Sequence, residues 1–471
     1  MKHLEKQNMQ QVKEMQFAKR SLLLIAGSMV KIAVQLLILY IFSRQLNYID
    51  YGKYQSLWLY LNVLSVIGLF GLPAILLSSS YSTITNWIKQ NIAGFSLLAF
   101  LFNIIPLAFV VVASVDFSIK ERILICLLIL SQSIAIVVET FAIKNEKELK
   151  VLIINLIYHA AFLFLHLLII QQQPFSLSYL MMGLIAINII KSISIATKPQ
   201  FKHEVFVPGN NLGKQWIYLG LNDMASVLFK WIDKWLILVF ISLEQFAFYY
   251  NGSYEIPVFG VLLSAVGNIM LVELSKLSIS KSTDIVSLFH RSAYFLAAFI
   301  MPAFALLFWF NEEIFIFIFS EKYAAAIPVF LVCIFVIPVR ITNYTAALQA
   351  HHRSDIILKG ALLDLMLAGI LMAVLYPLFK LPGLAAAFVI STYLQAFYYL
   401  WQTGKLLRLP ALSLLPLKSI TVILFICILI IGGVYFLVNT FINPIPLISG
   451  IIASALLVVG LLYRFYKTKR F

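Results

Sequence analysis

Apolar residues run along this chain in blocks of about twenty, the length needed to cross the ~30 Å hydrocarbon core of a bilayer as a helix. Short polar breaks separate the blocks. About fourteen predicted spans result. They are Ser21–Phe42, Gln55–Leu77, Ile92–Ser114, Ile123–Ile143, Val151–Ile170, Tyr179–Thr197 and Gln215–Ser242, followed by Phe246–Leu271, Ser292–Phe310, Ala324–Leu348, Ile356–Phe379, Gly383–Gln402, Leu417–Val438 and Ile445–Tyr463. The longest break, Lys198–Lys214, contains Pro, Gly and Asn, and divides the spans into six and eight. The expected domains are a cytoplasmic segment 1–20, a first lobe 21–197, a linker 198–214, a second lobe 215–402, and a terminal helix pair with a basic tail, 403–471.

Composition agrees with a membrane setting. Hydrophobic residues make up 62% and charged residues 12%, and the mean hydropathy is +0.95. A soluble domain is nearer ~45–50% apolar and ~25% charged. The three cysteines, Cys126, Cys333 and Cys427, all sit inside apolar blocks, so neither a disulfide framework nor a metal cluster is expected.

Charge placement orients the spans. With the N-terminus cytoplasmic, about 24 of the 35 Lys and Arg fall on cytoplasmic segments and about 6 on outer loops. The basic clusters are Lys2–Arg20, Lys144–Lys150, Lys198–Lys214, Lys405–Lys418 and Arg464–Arg470, whereas Asp116–Arg122 and Asn311–Lys322 are acidic or nearly neutral. Both termini are therefore expected inside. The net charge of +15 is mostly orientation signal near anionic lipid headgroups, and a nucleic-acid partner is not needed to explain it.

Ionisable residues within the spans carry the chemical signal, because each costs at least ~2.5–3.5 kcal/mol at mid-bilayer unless it faces protein or water. Gln215–Ser242 holds Asp223, Lys230, Asp233 and Lys234. At ~100° per residue, Asp223, Lys230 and Lys234 share one face, with Asp233 and Asn222 on its flank. Elsewhere Ser28, Lys31 and Gln35 share a face, Gln132 and Glu139 are aligned, and Asn155, His159 and His166 form a stripe. Asn251 and Glu255 are four apart, Arg340 pairs in spacing with Asn343, and Asp364 stands alone. Polar faces on several helices imply an internal cavity. The plainer reading of any single residue is an ion pair or a packing contact: Asp223 with Lys230, Asp233 with a neighbouring lysine, and the histidines as packing groups. Lys191, about two turns from the inner end of its span, reads as a snorkelling side chain.

Other chemistries are excluded. Gly209–Lys214, GNNLGK, is one residue short of a phosphate loop, and Gln215 stands where Ser or Thr is required. The adjacent His351 and His352 point apart on a helix and have no ligand cluster around them. No nucleophile–base pattern appears, and no cofactor is expected.

A weak internal repeat is present. Ser43–Tyr54 and Ser242–Tyr250 each place a polar run ahead of a small residue and a tyrosine, Gly52 with Tyr54 and Ala247 with Tyr249. The copies are six spans apart, as in parallel lobes related about the membrane normal. With Tyr51-Gly52-Lys53-Tyr54 come Asp233-Lys234-Trp235-Leu236, Glu313-Ile314-Phe315, Phe319-Ser320-Glu321-Lys322-Tyr323 and Gly383-Leu384-Ala385-Ala386-Ala387. In their order and spacing, over nearly the whole chain, these resemble the Wzx-type polysaccharide flippases of the multidrug and oligosaccharidyl-lipid exporter group.

The resemblance implies an all-α polytopic membrane protein, with two six-helix lobes around a central cavity plus two C-terminal helices. It implies a non-enzymatic transporter of undecaprenyl-diphosphate-linked oligosaccharide in a bacterial cytoplasmic membrane, with membrane lipids and a polysaccharide polymerase complex as partners. Lys31, Lys230, Lys234 and Arg340 would then meet the diphosphate. Glu139, His159, Asp223, Asp233, Glu255 and Asp364 would serve as charge partners or in proton or sodium coupling. A cation-coupled multidrug antiporter of the same fold is one alternative, kept open by the carboxylates. A membrane polysaccharide polymerase or ligase is the other, disfavoured by the lack of a long outer loop.

The topology makes a direct prediction. Reporters fused after Lys150, Lys214 and Arg408 should report cytoplasm, and reporters within Asp116–Arg122 and Asn439–Asn443 should report the outside. An external 198–214 loop would sink the two-lobe reading.

Overall fold

Every predicted span has a helical counterpart in the computed structural model, which describes residues 29–78, 81–114, 116–145, 147–172, 174–196, 212–275, 277–279, 282–351, 353–441 and 446–467. The expected segment 1–20 and most of the expected linker, 198–211, lie outside these residues. The protein is an all-α polytopic membrane protein, and no strand occurs among the described residues. By length and composition, nine of the described helices can cross a membrane, or ten if one bent pair counts as a single span.

The chain separates into two compact units, Met1–Trp231 with Leu238–Ala247, and Ile232–Ile237 with Phe248–Phe471. The first holds α1 (29–45), α2 (Tyr48–Leu69), α3 (Leu72–Ser78), α4 (Tyr81–Gln90), α5 (Ile92–Ala113), α6 (Ile119–Lys144), α7 (Glu148–Ile170) and α8 (Leu177–Ile195). It also takes most of α9 (Leu212–Phe240). Here α6 is central and packs against α2, α3, α5, α7 and α8. Its start is set by a capping box: Ser118 Oγ accepts from the Glu121 amide while the Glu121 carboxylate accepts from the Ser118 amide. Asn47 caps α2 in the simpler way, accepting from the Asp50 amide at 2.8 Å. On the outward side α5 exposes Leu97, Phe100, Ile104, Ile105 and Val112, a surface whose natural solvent is lipid.

The expected span Gln55–Leu77 is two helices, because Phe70 and Gly71 both take positive φ and turn the chain between α2 and α3. Gly71 lies where a Cβ would come 2.6 Å from the Gly220 amide nitrogen of α9. Beside this backbone crossing, Phe70 stacks on Phe102, and the Trp216 indole donates to the Phe70 carbonyl at 2.7 Å.

In the second unit α12 (Ser282–Trp309) is the buried axis. It packs against α11 (Pro257–Ser275), α17 (Leu417–Phe441) and α18 (Pro446–Lys467), and α17 and α18 also pack together. At its end Trp309 donates to the Ile428 carbonyl of α17 at 3.0 Å, and a short helix α13 (Asn311–Phe319) follows. Two expected spans are interrupted. Phe246–Leu271 is α10 (Leu243–Gly252) and α11, bent by 52° at a break that ends in Pro257. Ala324–Leu348 is a 3-10 turn Glu321–Ala326, α14 (Ile327–Ile334), a second turn Ile337–Ile341 and α15 (Ala346–Ala350). Pro338 cannot donate an amide hydrogen bond in the middle of that stretch. The spans Ile356–Phe379 and Gly383–Gln402 form α16 (Ser354–Leu407), which folds back at Lys380, where φ is 54° and Pro382 follows. The Tyr399 hydroxyl closes this hairpin by donating to the Ile357 carbonyl at 2.9 Å.

Gly71→Ala should destabilise the first unit by at least the ~1–2 kcal/mol of left-handed strain, with steric overlap added. Melting of purified protein in detergent should show the loss. Gly94→Ala, on open space in α5, is the control and should melt no lower than the parent, since alanine is the better helix former. Equal melting of both variants would show that the crossing of the α2–α3 turn with α9 is not tight.

Candidate functional site

Helical spacing puts polar groups from five helices of the first unit around one cavity of about 450 Å³. Helix α1 contributes Lys31 and Gln35, and α2 contributes Trp58 and Asn62. Helix α6 adds Gln132 and Glu139, α7 adds Asn155, Tyr158 and His159, and α8 adds Asn188 and Lys191. Each set is three, four or seven residues apart, so each lies on one helix face.

The wall between α6, α7 and α8 is a connected network. Glu139 Oε2 lies 2.8 Å from Lys191 Nζ, and Oε1 accepts from Asn155 Nδ2 at 2.9 Å. Lys191 also sits over the Tyr158 ring, 4.8 Å from its centroid. The Tyr158 hydroxyl donates to Asn188 Oδ1 at 3.0 Å, and Asn188 Nδ2 donates to Ser131 Oγ at 3.3 Å. Lys191 therefore does not snorkel as expected: a carboxylate and a ring face hold it at the cavity wall, with 13% of its side chain exposed.

Lys31 has no ion-pair partner among the described residues. It is exposed, and the space it is exposed to includes the cavity. Lys31 and Lys191 thus set two ammonium groups against the single carboxylate of Glu139.

His159 lines the same cavity, with its ring 5.3 Å from that of Tyr158. His166, from the same stripe, does not line the cavity but is buried directly behind two lining residues, Trp58 and Phe162, and beside Phe42 and Tyr54. Its Nδ1 lies 2.7 Å from the Phe162 carbonyl.

The α9 stripe divides. Lys230, in the first unit, is exposed, and its ammonium lies 5.5 Å from the Trp231 ring. Asp223, half-buried in the same unit, makes no ion pair with Lys230 among the described residues. Asp233 and Lys234 belong to the second unit and are buried there. Asp233 Oδ2 accepts from the Tyr249 hydroxyl at 3.0 Å and from Lys234 Nζ at 3.3 Å. In that unit Arg340 pairs with Glu255 at 2.5 Å, tying the break after α10 to the turn between α14 and α15. Asp364 is buried in the α16 hairpin beside Ser391.

The fold has known counterparts. The structure matches that of the lipid II flippase MurJ in its inward closed conformation, with a TM-score of 0.67 over 94% of this chain and 99% of that one, at 14% identity. It also matches an inward-facing multidrug resistance MATE family transporter of the MOP superfamily, with a TM-score of 0.54 over 81% of this chain and 94% of the other, at 11% identity. The chain shares its fold with both. No family model matches the chain, and neither does any curated protein sequence.

Sequence reasoning missed Lys191, Tyr158, Asn188, Trp58 and Asn62 as cavity residues. The usable signal was spacing: Asn188 and Lys191 are three apart, as informative as Lys31 with Gln35.

Neutralising one member of the Glu255–Arg340 pair strands a partly buried charge. Glu255→Gln and Arg340→Gln should each lower the melting temperature, and the double variant should recover part of the loss. A double-mutant cycle should return a coupling of about 1 kcal/mol. Strictly additive losses would show that the pair does not hold the two breaks together.

Proposed function

We propose that this protein is a flippase that moves undecaprenyl-diphosphate-linked oligosaccharide from the inner to the outer leaflet of a bacterial cytoplasmic membrane by alternating access, with both termini cytoplasmic. The observation that carries this reading is the charge balance of the cavity in the first unit. Glu139 is already engaged by Lys191 and Asn155, which leaves Lys31 as the unmatched ammonium of the cavity. An anionic headgroup supplies the missing counter-charge, and in a low-dielectric site that pairing is strong. The other lining groups, Gln35, Asn62, Gln132 and Asn155 with Trp58 and Tyr158, offer the amide hydrogen bonds and ring faces that sugar hydroxyls and sugar planes need. The fold shared with a lipid II flippase supports a lipid-linked cargo.

Inside-negative potential assists the direction, since moving one negative charge outward is downhill by ~2.3 kcal/mol per 100 mV. Proton or sodium coupling through Glu139, His159 or Asp223 would add to this drive. Polymer synthesis downstream would consume the delivered units. The shared fold with a multidrug transporter keeps the antiporter reading as an outcome of the test.

A deletion strain should accumulate lipid-linked repeat units on the inner leaflet. Unpolymerised units outside would indicate a polymerase, and drug sensitivity alone an antiporter. In complemented cells Lys31→Gln and Lys230→Gln should each lower export at least about tenfold at near-normal membrane abundance, the loss expected for one charged hydrogen bond. Arginine at either position should retain part of the activity. Normal export by a well-expressed Lys31→Gln, Lys230→Gln double variant would rule the cationic cavity out.

A further inference from the structure

We propose that Glu139 is a resident counter-anion. In the empty cavity it holds Lys191, and it yields that lysine to the diphosphate of an incoming headgroup, so that Lys191 contacts substrate only in the occupied state. This rests on the reading of the cavity as a site for a diphosphate-linked lipid, and it adds to that reading a residue that governs capture and release.

Four features of the site lead there. First, the pair lies at the cavity wall and not in a dry core: 13% of the Lys191 side chain and 25% of the Glu139 side chain remain exposed. Exchange of partners can therefore proceed with water present. Second, Glu139 has another partner to keep. Asn155 donates to the oxygen that Lys191 does not use, so the carboxylate stays hydrogen-bonded after the lysine leaves. Third, the Tyr158 ring under Lys191 is tethered through Asn188 to Ser131, which keeps a cationic berth in place on α7 and α8 whichever anion the ammonium faces. Fourth, Lys31 lines the same cavity, so an anion drawn to Lys31 arrives in the space that the Glu139–Lys191 pair also borders.

The exchange conserves ion pairs. A lysine–carboxylate contact is replaced by a lysine–phosphate contact, so Lys191 faces an anion in both end states, while the Glu139 carboxylate, freed of its cation, keeps Asn155 as a donor. Lysine suits such a change of partner, having a compact charge on a flexible four-carbon stem. The same balance aids release, because Glu139 competes for Lys191 as the headgroup departs. A purely structural role for the pair, tying α6 to α8, predicts no change in ligand binding at all.

The test uses the purified full-length protein in detergent, with farnesyl diphosphate as a soluble polyprenyl diphosphate and farnesol as the uncharged control, binding being read by calorimetry. Glu139→Gln should bind farnesyl diphosphate about tenfold more tightly than the parent, and Lys191→Gln more weakly. The double variant should match Lys191→Gln, because the gain needs the freed lysine. In cells, Glu139→Gln should retain bound lipid and export slowly. Glu139→Asp, which keeps the charge on a shorter stem, should tighten binding less and serves if the glutamine variant does not fold. Unchanged or weaker binding by Glu139→Gln, in a protein whose parent binds and whose Lys31→Gln variant binds less, would overturn the counter-anion and leave the diphosphate site standing. Melting temperatures that fall in both single variants and recover in the double, with binding constant throughout, would overturn it in favour of the structural tie. No preference for farnesyl diphosphate over farnesol in the parent would overturn the diphosphate reading and this proposal together.

Discussion

A charge in a low-dielectric interior must find an opposite charge, a set of dipoles or water, and the arrangement of polar residues here follows from that requirement. In the first unit the answer is a shared cavity. Glu139, Lys191, Asn155, Tyr158 and Asn188 bond to one another across three helices, while Lys31 lines the cavity with no ion-pair partner among the described residues. Holding such a network gives α6, α7 and α8 a fixed register. On the reading proposed above, that residual imbalance is what an anionic headgroup would answer.

The second unit meets the same requirement by local pairing. Asp233 is enclosed with Lys234 and Tyr249, and Glu255 with Arg340. Here the helices themselves are interrupted, and carbonyls freed by the breaks need donors. Tyr393 donates to the Phe335 carbonyl at 2.9 Å and Tyr344 to the Val339 carbonyl at 2.6 Å, so two tyrosines stand in for missing helical amides. A broken span satisfied by side chains can change its bend more readily than one held by its own ladder.

Much of this was legible in the chain. Bilayer thickness fixes the block length, so the spans could be counted, and proline and positive-φ positions explain where the counted blocks break. Lys31 with Gln35, Gln132 with Glu139 and Asn155 with His159 were visible because one helix carries its own periodicity. What a single helix cannot display is its neighbour. Lys191 looked like a snorkelling residue because its distance from the membrane edge is written in the sequence and the position of Glu139 opposite it is not. The α9 stripe is one face in projection, yet Lys230 is exposed while Lys234 is enclosed beside Asp233 and Tyr249, because surroundings change along a helix even where its face does not.

The contact between Trp309 and α17 bears on how the molecule is made. The indole N–H at the end of α12 has its acceptor, the Ile428 carbonyl, 119 residues further along the chain. At ribosomal rates of 5–20 residues per second, that acceptor follows Trp309 by about 6–24 s. Throughout this interval the buried axis of the second unit is exposed on the side that α17 and α18 will cover. A ribosome stall or truncation in this stretch would leave an apolar groove with one unmet donor, the kind of surface that membrane quality-control proteases and insertion chaperones are equipped to detect.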